Sequence, residues 1–236
     1  MACVEQTFST MGVNPKDGKV ATLFVSPAKA FLLHLICGLG LASAFWVAHN
    51  IFSTDLISSP AQTLRLILVF ESPVVLLLYS LFRQNPVQCS YIKSLGQGLL
   101  GLPAGAVVIG AGAIVLGAPV GFQYFRLTLH WSLLMSVFTF VPAASVFGSS
   151  WSDWHRIFTH TKPTNNTDYM ICFPAHGAII GAWLGAWPMP LDWERPWQEW
   201  PICVSYGSIA GYLVGMAVSM GFILFHNHRH HHLKGE

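Results

Sequence analysis

The sequence predicts an all-α membrane protein, a bundle of six transmembrane helices with short loops. Of its 236 residues, 53% are hydrophobic and 9% are charged, and the mean hydropathy is +0.52. Soluble domains carry about a quarter charged residues, so most of this surface is suited to lipid. Six spans of roughly 20 residues each use more than half of the chain. No segment is then long enough to form a soluble catalytic domain.

Six apolar segments define the predicted spans. They cover residues 30–52, 64–82, 95–120, 127–147, 171–189 and 201–225. The first segment is longer than the roughly 7 to 15 apolar residues of a signal peptide, so we expect it to remain as an anchor. Pro103 could kink or shorten the third segment, because proline has no backbone donor. The predicted organisation is a polar N-terminal segment (1–27), a transmembrane domain (28–225) and a histidine-rich C-terminal tail (226–236).

Basic residues near the span ends predict the orientation in the membrane. With six spans, nine of the twelve Lys and Arg residues fall on one side, namely Lys16, Lys19, Lys29, Arg83, Lys93, Arg156, Lys162, Arg229 and Lys234. The other side has Arg65, Arg126 and Arg195. Basic flanks stay in the cytosol, so both termini are expected to be cytosolic. The loop between the last two spans is then expected to face the opposite compartment.

Charge and motif content exclude several functional classes. The net charge of +2, without a run of basic residues, argues against a nucleic-acid partner. The five cysteines are scattered singly, which favours neither a zinc site nor a disulfide framework. The sequence has no phosphate loop, no HExxH motif and no paired carboxylates with an acid/base role. No carboxylate or cysteine completes a shaped metal site with the histidines of the tail. We therefore expect no catalytic residue, no cofactor and no metal centre.

The connection at residues 187–201 is the most distinctive segment. It contains four tryptophans, four prolines, three carboxylates and one arginine. Prolines restrict the backbone and tryptophans favour the lipid headgroup layer, so we expect a rigid interfacial loop. It is either an aromatic belt with solvated charges or a docking surface, because Trp and Arg concentrate binding energy at interfaces. The candidate partner- or lipid-binding residues in it are Asp192, Trp193, Arg195, Pro196, Trp197, Gln198 and Trp200.

Two of these candidates carry opposite charges three residues apart. Asp192 and Arg195 could form a local ion pair that fixes the turn, or one of them could bind a phospholipid headgroup. The sequence leaves both alternatives open.

Glycines recur every four residues in the last two spans. Gly177, Gly181 and Gly185 form one stripe, and Gly207, Gly211 and Gly215 form the other. Such stripes lie on one helix face and let two backbones approach closely in lipid. Either the two stripes pack against each other in a tight antiparallel hairpin, or one of them receives a helix of another protein.

Glu71 is an ionisable residue inside the second predicted span. A carboxyl in hydrocarbon is costly and is therefore a candidate for function. The alternative is a hydrogen-bonded or uncharged structural group. At its depth in the bilayer, the expected partners on neighbouring spans are His130 and Ser208.

The stretch GAWLGAWPMPLDWERPWQEWPI at residues 181–202 resembles the phosphatidylinositol-glycan biosynthesis class F (PIG-F) family. It is similar to the family pattern GAxxGAxPxPLDWxRPWQxWPI. The first four spans match that family in character only. The resemblance implies a multi-pass endoplasmic reticulum protein of glycosylphosphatidylinositol (GPI) anchor assembly. It further implies a non-catalytic partner that stabilises the large ethanolamine phosphate transferases, which add phosphoethanolamine to mannoses of the GPI precursor.

Two functional hypotheses follow. The first is an accessory subunit whose last two helices and 192–201 loop pack against a transferase. The second is a lipid-handling protein that presents or moves phosphatidylethanolamine or the GPI precursor, using Glu71 and the interfacial loop. A small enzyme is the weakest interpretation, because no catalytic signature is present.

Overall fold

A computed structural model describes residues 25–84, 86 and 89–232, with the backbone alone for 230–232. Almost all of the predicted polar N-terminal segment and the last four residues of the predicted tail lie outside the described residues. Among the described residues the regular secondary structure is entirely helical, without a strand, which confirms the all-α class.

The helices are α1 (Pro27–Asn50), α2 (Pro60–Leu81), α3 (Tyr91–Val115), α4 (Phe122–Phe138), α5 (Phe140–Phe147), α6 (Trp151–Trp154), α7 (Asn166–Ala186) and α8 (Ile202–His232). A single turn of π-helix, His155–Thr159, follows α6, and a short 3-10 turn, Pro196–Gln198, precedes α8.

Five helices are long and apolar enough to cross a membrane: α1, α2, α3, α7 and most of α8. The predicted fourth span is divided into α4 and α5, which meet at an angle of 41°. Pro142 explains the break, because it cannot donate to the carbonyl of Phe138 and its ring crowds that turn. The bent pair would make a sixth span if it crosses as one unit.

Capping residues, rather than the limits of the apolar runs, decide where the helices begin. The side chains of Ser26, Ser90 and Asn165 accept hydrogen bonds from backbone N–H groups in the first turns of α1, α3 and α7. Pro27 and Pro60 occupy the first positions of α1 and α2, where proline is tolerated. These helices therefore start three to five residues before the hydropathy limits of the predicted spans. The third span remains one continuous helix despite Pro103.

The third helix packs closely on α2 and on the bent pair. A side chain at Gly98 or Gly101 would collide with Leu76 or Ala144 at 2.8 or 2.7 Å. Nearby, the Ser94 hydroxyl donates to the carbonyl of Ser145 at 2.6 Å. Small residues and hydroxyl groups of this kind hold helices together in lipid, where the hydrophobic effect between helices is weak.

The last two long helices form a hairpin in which the two glycine stripes face each other. A Cβ added at Gly181 would lie 2.9 Å from the Cα of Gly211, and a Cβ added at Gly207 would lie 2.9 Å from the Cα of Gly185. Such distances are not observed for real side chains, so the stripes admit only glycine at this separation. Both stripes are therefore occupied within the chain and are not free for a helix of another protein.

Two buried tyrosines join this hairpin to the rest of the bundle. The Tyr79 hydroxyl of α2 donates to the carbonyl of Met170 in α7 at 3.0 Å. The ring of Tyr212 in α8 stacks on Phe138 of α4, with centroids 4.2 Å apart. Both tyrosines are buried, and aromatic pairs of this geometry add to the packing energy.

We expect Gly181→Leu to destabilise the protein strongly. The new side chain meets backbone atoms of α8 that cannot rotate away, so the hairpin has to open. Overpacking costs about 1–3 kcal/mol, and here we expect the upper end, a fall in Tm on the order of 5–10 °C. Thermal unfolding in detergent measures the change. Gly221→Leu in α8 is the matched control, since a Cβ there meets nothing within 4 Å. An equal loss of stability in both variants would contradict the role of the stripe.

Candidate functional site

The loop between α7 and α8 is held in one shape by a buried glutamine. The Gln198 side chain donates to the carbonyls of Pro188 and Leu191 at 2.6 and 2.9 Å. Its carbonyl oxygen accepts from the backbone N–H of Arg195 at 2.8 Å. Gln198 thus satisfies backbone groups across the loop that no regular helix pairs. It supports the loop from within, whereas the sequence suggested it as a binding residue.

Trp200 anchors the same loop to α4. Its indole N–H donates to the Thr128 hydroxyl at 3.0 Å, and its ring meets the edge of Trp131 with centroids 5.0 Å apart. Trp200 is 9% exposed and therefore supports the loop rather than offering a free binding surface. Trp197 is half-buried and packs edge-on against Trp193.

The outer side of the loop presents four of the predicted residues to its surroundings. Asp192, Trp193, Arg195 and Pro196 are exposed. Glu194, between them, has a φ of +49°, which lies in the left-handed region that glycine adopts more readily and turns the chain sharply. The loop is therefore fixed in shape and still open on one face.

Of the two alternatives for Asp192 and Arg195, the local ion pair does not form. Within the described residues, the ion pairs are those of Arg156 with Asp153 and Asp168. Asp192 and Arg195 are therefore both exposed and do not neutralise each other's charge.

We expect Gln198→Leu to loosen the loop without unfolding the bundle. The substitution leaves the Arg195 N–H without its acceptor and removes one of the two donors from each of the carbonyls of Pro188 and Leu191. An unsatisfied group of this kind costs about 1–3 kcal/mol. Hydrogen exchange at the Arg195 amide should accelerate by roughly tenfold or more. Asp192→Asn, on the exposed side, is the control and should leave that amide unchanged. Unchanged protection in Gln198→Leu would show that the glutamine does not hold the loop.

Glu71 is enclosed between helices and does not reach the loop. Its side chain is fully buried, and neither carboxyl oxygen has a hydrogen-bond partner among the described groups. A Cβ added at Gly40 of α1 would lie 2.5 Å from a Glu71 oxygen, so α1 closes directly over it. The expected partners are not bonded to it, because His130 hydrogen bonds to Arg126 and Ser208 to Ser205. Nothing in this geometry connects Glu71 with a lipid surface.

A large apolar groove lies beside the loop, where α7 stands apart from α3 and the bent pair. Its volume is about 1170 Å³. The apolar walls include Val108 of α3, Met135 of α4, Phe140 of α5 and Ile179 of α7, together with Leu116 directly after α3. One end is bounded by α6 and the π-helical turn, and the other by Pro190 and Trp200. Sequence reasoning missed this site, although the aromatic segment WSDWHRIF at 151–158 was a signal of an interfacial element.

An ion-pair network fixes the segment that bounds the groove. Arg156, in the π-helical turn, binds Asp153 at 2.8 Å and the fully buried Asp168 at the start of α7. Asp168 also accepts from the backbone N–H and the hydroxyl of Thr164, each at 2.9 Å. Partial burial acts to raise the pKa of Asp153, but hydrogen bonds from Ser150 and Arg156 outweigh it and hold that pKa below its ordinary value.

The lowered pKa of Asp153 predicts an acid-sensitive segment. The stabilisation is fully present above the ordinary Asp pKa and is lost as the pH falls through the lowered value. Hydrogen exchange of residues 151–159, corrected for intrinsic rates, should rise roughly two- to fivefold in that window. Asp153→Asn should remove this pH dependence, and the control Asp192→Asn should keep it. A profile unaffected by Asp153→Asn would contradict the assignment.

These features define an all-helical, multi-pass membrane protein with a rigid aromatic loop at one end of a helical hairpin and an apolar groove beside it. The family model described as "GPI biosynthesis protein family Pig-F" matches residues 41–220, and the chain belongs to that family.

Several curated proteins are similar to parts of the chain. The human protein named "GPI ethanolamine phosphate transferase, stabilizing subunit" is 38% identical over 92 residues, which are 39% of this chain and 42% of the human protein. The "PIGF/3-ketodihydrosphingosine reductase fusion protein" of Schizosaccharomyces pombe is 34% identical over 169 residues, 72% of this chain and 33% of the fusion protein.

A fungal protein extends this comparison. "Glycosylphosphatidylinositol anchor biosynthesis protein 11" of Candida albicans is 34% identical over 129 residues, 52% of this chain and 44% of that protein. The chain thus spans less than half the length of these three relatives. No solved structure matches it significantly.

Proposed function

We propose that this protein is a non-catalytic accessory subunit of an ethanolamine phosphate transferase of GPI-anchor assembly in the endoplasmic reticulum membrane. In this proposal the partner carries out catalysis on the GPI precursor, and the chain stabilises the partner. The human relative that is named as a stabilizing subunit of such a transferase supports the proposal. The observation that carries it in the structure is the fixed loop with an exposed tryptophan and arginine.

The loop has the properties of a docking surface. Trp193 is 56% exposed and Arg195 is exposed beside it, and these are residue types that dominate binding energy at interfaces. Gln198 and Trp200 hold the backbone in place before a partner arrives, so less conformational entropy is lost on binding. An aromatic belt alone requires no such internal support.

The outer face of α7 extends this surface into the membrane. Trp183 and Trp187 are 57% and 70% exposed, one helical turn apart, and they lead directly to the loop. The glycine stripe is on the other side of α7 and is already filled by α8. A transferase helix would therefore meet the tryptophan side of the hairpin rather than the glycines.

We further propose six spans, with both termini cytosolic and the 192–201 loop on the lumenal side. The Asn166 side chain donates to the carbonyl of Val25 at 2.7 Å, and the Gln84 N–H donates to that of Val146 at 3.2 Å. These contacts bring the starts of α1 and α7 and the ends of α2 and α5 to one end of the bundle. Basic residues near that end are Lys29, Arg83, Lys93, Arg156, Lys162 and Arg229. Such an excess is typical of the cytosolic side.

Stabilisation of a partner requires no chemistry in this chain. A subunit that binds only the folded transferase shifts the folding equilibrium of the transferase by mass action. Loss of the contact then lowers the amount of transferase rather than its intrinsic rate. The amount of transferase and its rate per molecule therefore distinguish an accessory subunit from a second catalytic component.

We expect Trp193→Ala and Arg195→Ala to reduce recovery of the transferase with this protein. Loss of an interface residue of this type costs about 2 kcal/mol or more, roughly a thirtyfold loss of affinity. Co-purification in mild detergent, transferase abundance and cell-surface GPI-anchored protein should fall together. Trp46→Ala and Arg65→Ala replace exposed residues of the same types on α1 and α2, and they serve as matched controls.

Two results would contradict the proposal. Normal transferase levels and normal anchor assembly in both loop variants would remove the loop from the interface. Turnover of a lipid phosphoester by the purified chain without a partner would replace the accessory role by an enzymatic one.

A further inference from the structure

We infer that one membrane helix of the proposed transferase partner lies in the groove between α3, the α4–α5 pair and α7. The inference rests on the proposed accessory function and names the part of the partner that this side of α7 receives. Its basis is the size of the groove, the residue types of its walls and its continuity with the loop between α7 and α8.

The groove has the dimensions of a short stretch of helix. Along α7 its lining extends from His176 to Trp187, about 17 Å at the rise of an α-helix. A helix of that length and about 10 Å in width fills roughly 1,300 Å³. The groove has a volume of about 1170 Å³. About three helical turns of a partner therefore fit in it.

The two long walls of the groove are faces of regular helices. On α3 the lining residues Val108 and Gly112 are four positions apart, and on α7 Ile179, Ala182 and Ala186 are three and four positions apart. This spacing places each set along one stripe of its helix. The groove is thus bordered by two helix stripes with room for a third helix between them.

Small residues in these walls favour a helix over fluid lipid chains. They include Gly112 and Ala113 on α3 and Ala182 and Ala186 on α7. In lipid, small residues let helix backbones approach closely, and this packing holds helices together. Gly112 is not used for packing within the chain, since a Cβ added there meets nothing within 4 Å. It is therefore available to a helix of a partner.

The lining is also uncharged. Among the described residues, those that line the groove include no Asp, Glu, Lys or Arg. A lipid headgroup would find no charged partner there, whereas an apolar helix needs none. We expect the matching face of the transferase helix to be uncharged as well, because a charge against these walls would be costly and unpaired. Bulky aliphatic side chains on that face would fill the space beside Gly112 and Ala182.

The groove extends over about half of the membrane, which suits a helix that crosses α7 at an angle. The hydrocarbon core is roughly 30 Å thick, and membrane helices pack at crossing angles of about 20–40°. The end away from the loop is bounded by α6 and the π-helical turn. The exposed side chains of Val108 and Ile179 show that the groove is open on one side. A tilted partner helix leaves the groove through this side before it reaches α6.

At its other end the groove continues into the surface assigned to the transferase. Trp183 and Trp187 belong to both, and Pro190 and Trp200 connect the groove with the loop. A partner helix in the groove therefore emerges beside the exposed outer side of the loop. One partner contacts both features at once, so the groove and the loop form one continuous interface.

The first test places a photoreactive amino acid at Ile179 of the full chain in native membranes. Ile179 lines the groove, and the matched control Ile180 is an exposed isoleucine of α7 outside it. After irradiation, mass spectrometry identifies the cross-linked species at each position. We expect a membrane helix of the transferase at Ile179, in several-fold higher yield than at Ile180, because successive helix residues point about 100° apart.

The second test fills the groove from α3 with Gly112→Phe. We expect co-purification of the transferase in mild detergent to fall roughly tenfold or more, since the ring occupies the space of partner side chains. Gly96→Phe is the matched control, because Gly96 also has open space around it in α3 but does not line the groove. Recovery should then stay at the wild-type level. Thermal unfolding confirms that both variants fold, and Gly112→Leu provides a smaller replacement if the phenylalanine variant does not.

Three outcomes would overturn the inference and leave the accessory function standing. The first is a lipid or a second copy of this chain as the main species cross-linked at Ile179. The second is no more cross-linking of the transferase at Ile179 than at Ile180. The third is wild-type recovery of the transferase with folded Gly112→Phe, while Trp193→Ala still loses it. A wild-type chain that recovers no transferase overturns the accessory function and this inference with it, so the two kinds of failure are distinguishable.

Discussion

The contact between the backbones of α7 and α8 is the constraint on which the rest of the structure depends. Six glycines let the two helices approach so closely that a single Cβ on either stripe would meet backbone of the other helix. In lipid, where helices gain little from the hydrophobic effect, this packing is a main source of association. It fixes the ends of the hairpin, and those ends fix the span of the loop between them. It also commits one face of α7 to α8 and leaves its opposite face beside the groove.

In the loop, some residues hold the backbone in place, and their neighbours in the sequence are exposed to a possible partner. Gln198 and Trp200 turn inward and satisfy backbone and hydroxyl partners, while Trp193 and Arg195 remain exposed. A surface that is ordered before binding loses less entropy on association than a mobile one. The groove has a comparable arrangement, because the ion pairs of Arg156 hold the segment that bounds its α6 end. Both candidate surfaces are therefore bordered by fixed segments, and they adjoin each other near the end of α7.

The buried carboxyl of Glu71 shows that the position of a residue in a span does not reveal its surroundings in the fold. Its position inside a span identified it as a functional candidate, yet α1 closes over it at Gly40 and none of its expected partners is bonded to it. The groove, in contrast, is lined by ordinary apolar and aromatic residues that no motif distinguishes. The sequence shows directly where an ionisable residue lies inside an apolar segment. A cavity depends instead on how helices that are far apart in the sequence pack in space.

The sequence by itself determined the all-helical class, the approximate positions of the long helices and the pairing surface of the glycines, because hydropathy and four-residue spacing are local properties. Caps such as Ser90 and Asn165 could also be read locally, and they set helix starts better than hydropathy did. Only the tertiary structure decided the bend near Thr139, the inward direction of Gln198 and the groove. The groove depends on contacts between helices far apart in the chain, whereas the direction of Gln198 depends on how residues 188–198 fold back on themselves. Proline marks a possible break, but neighbouring helices decide whether it bends, since Pro103 leaves α3 continuous while Pro142 divides α4 from α5.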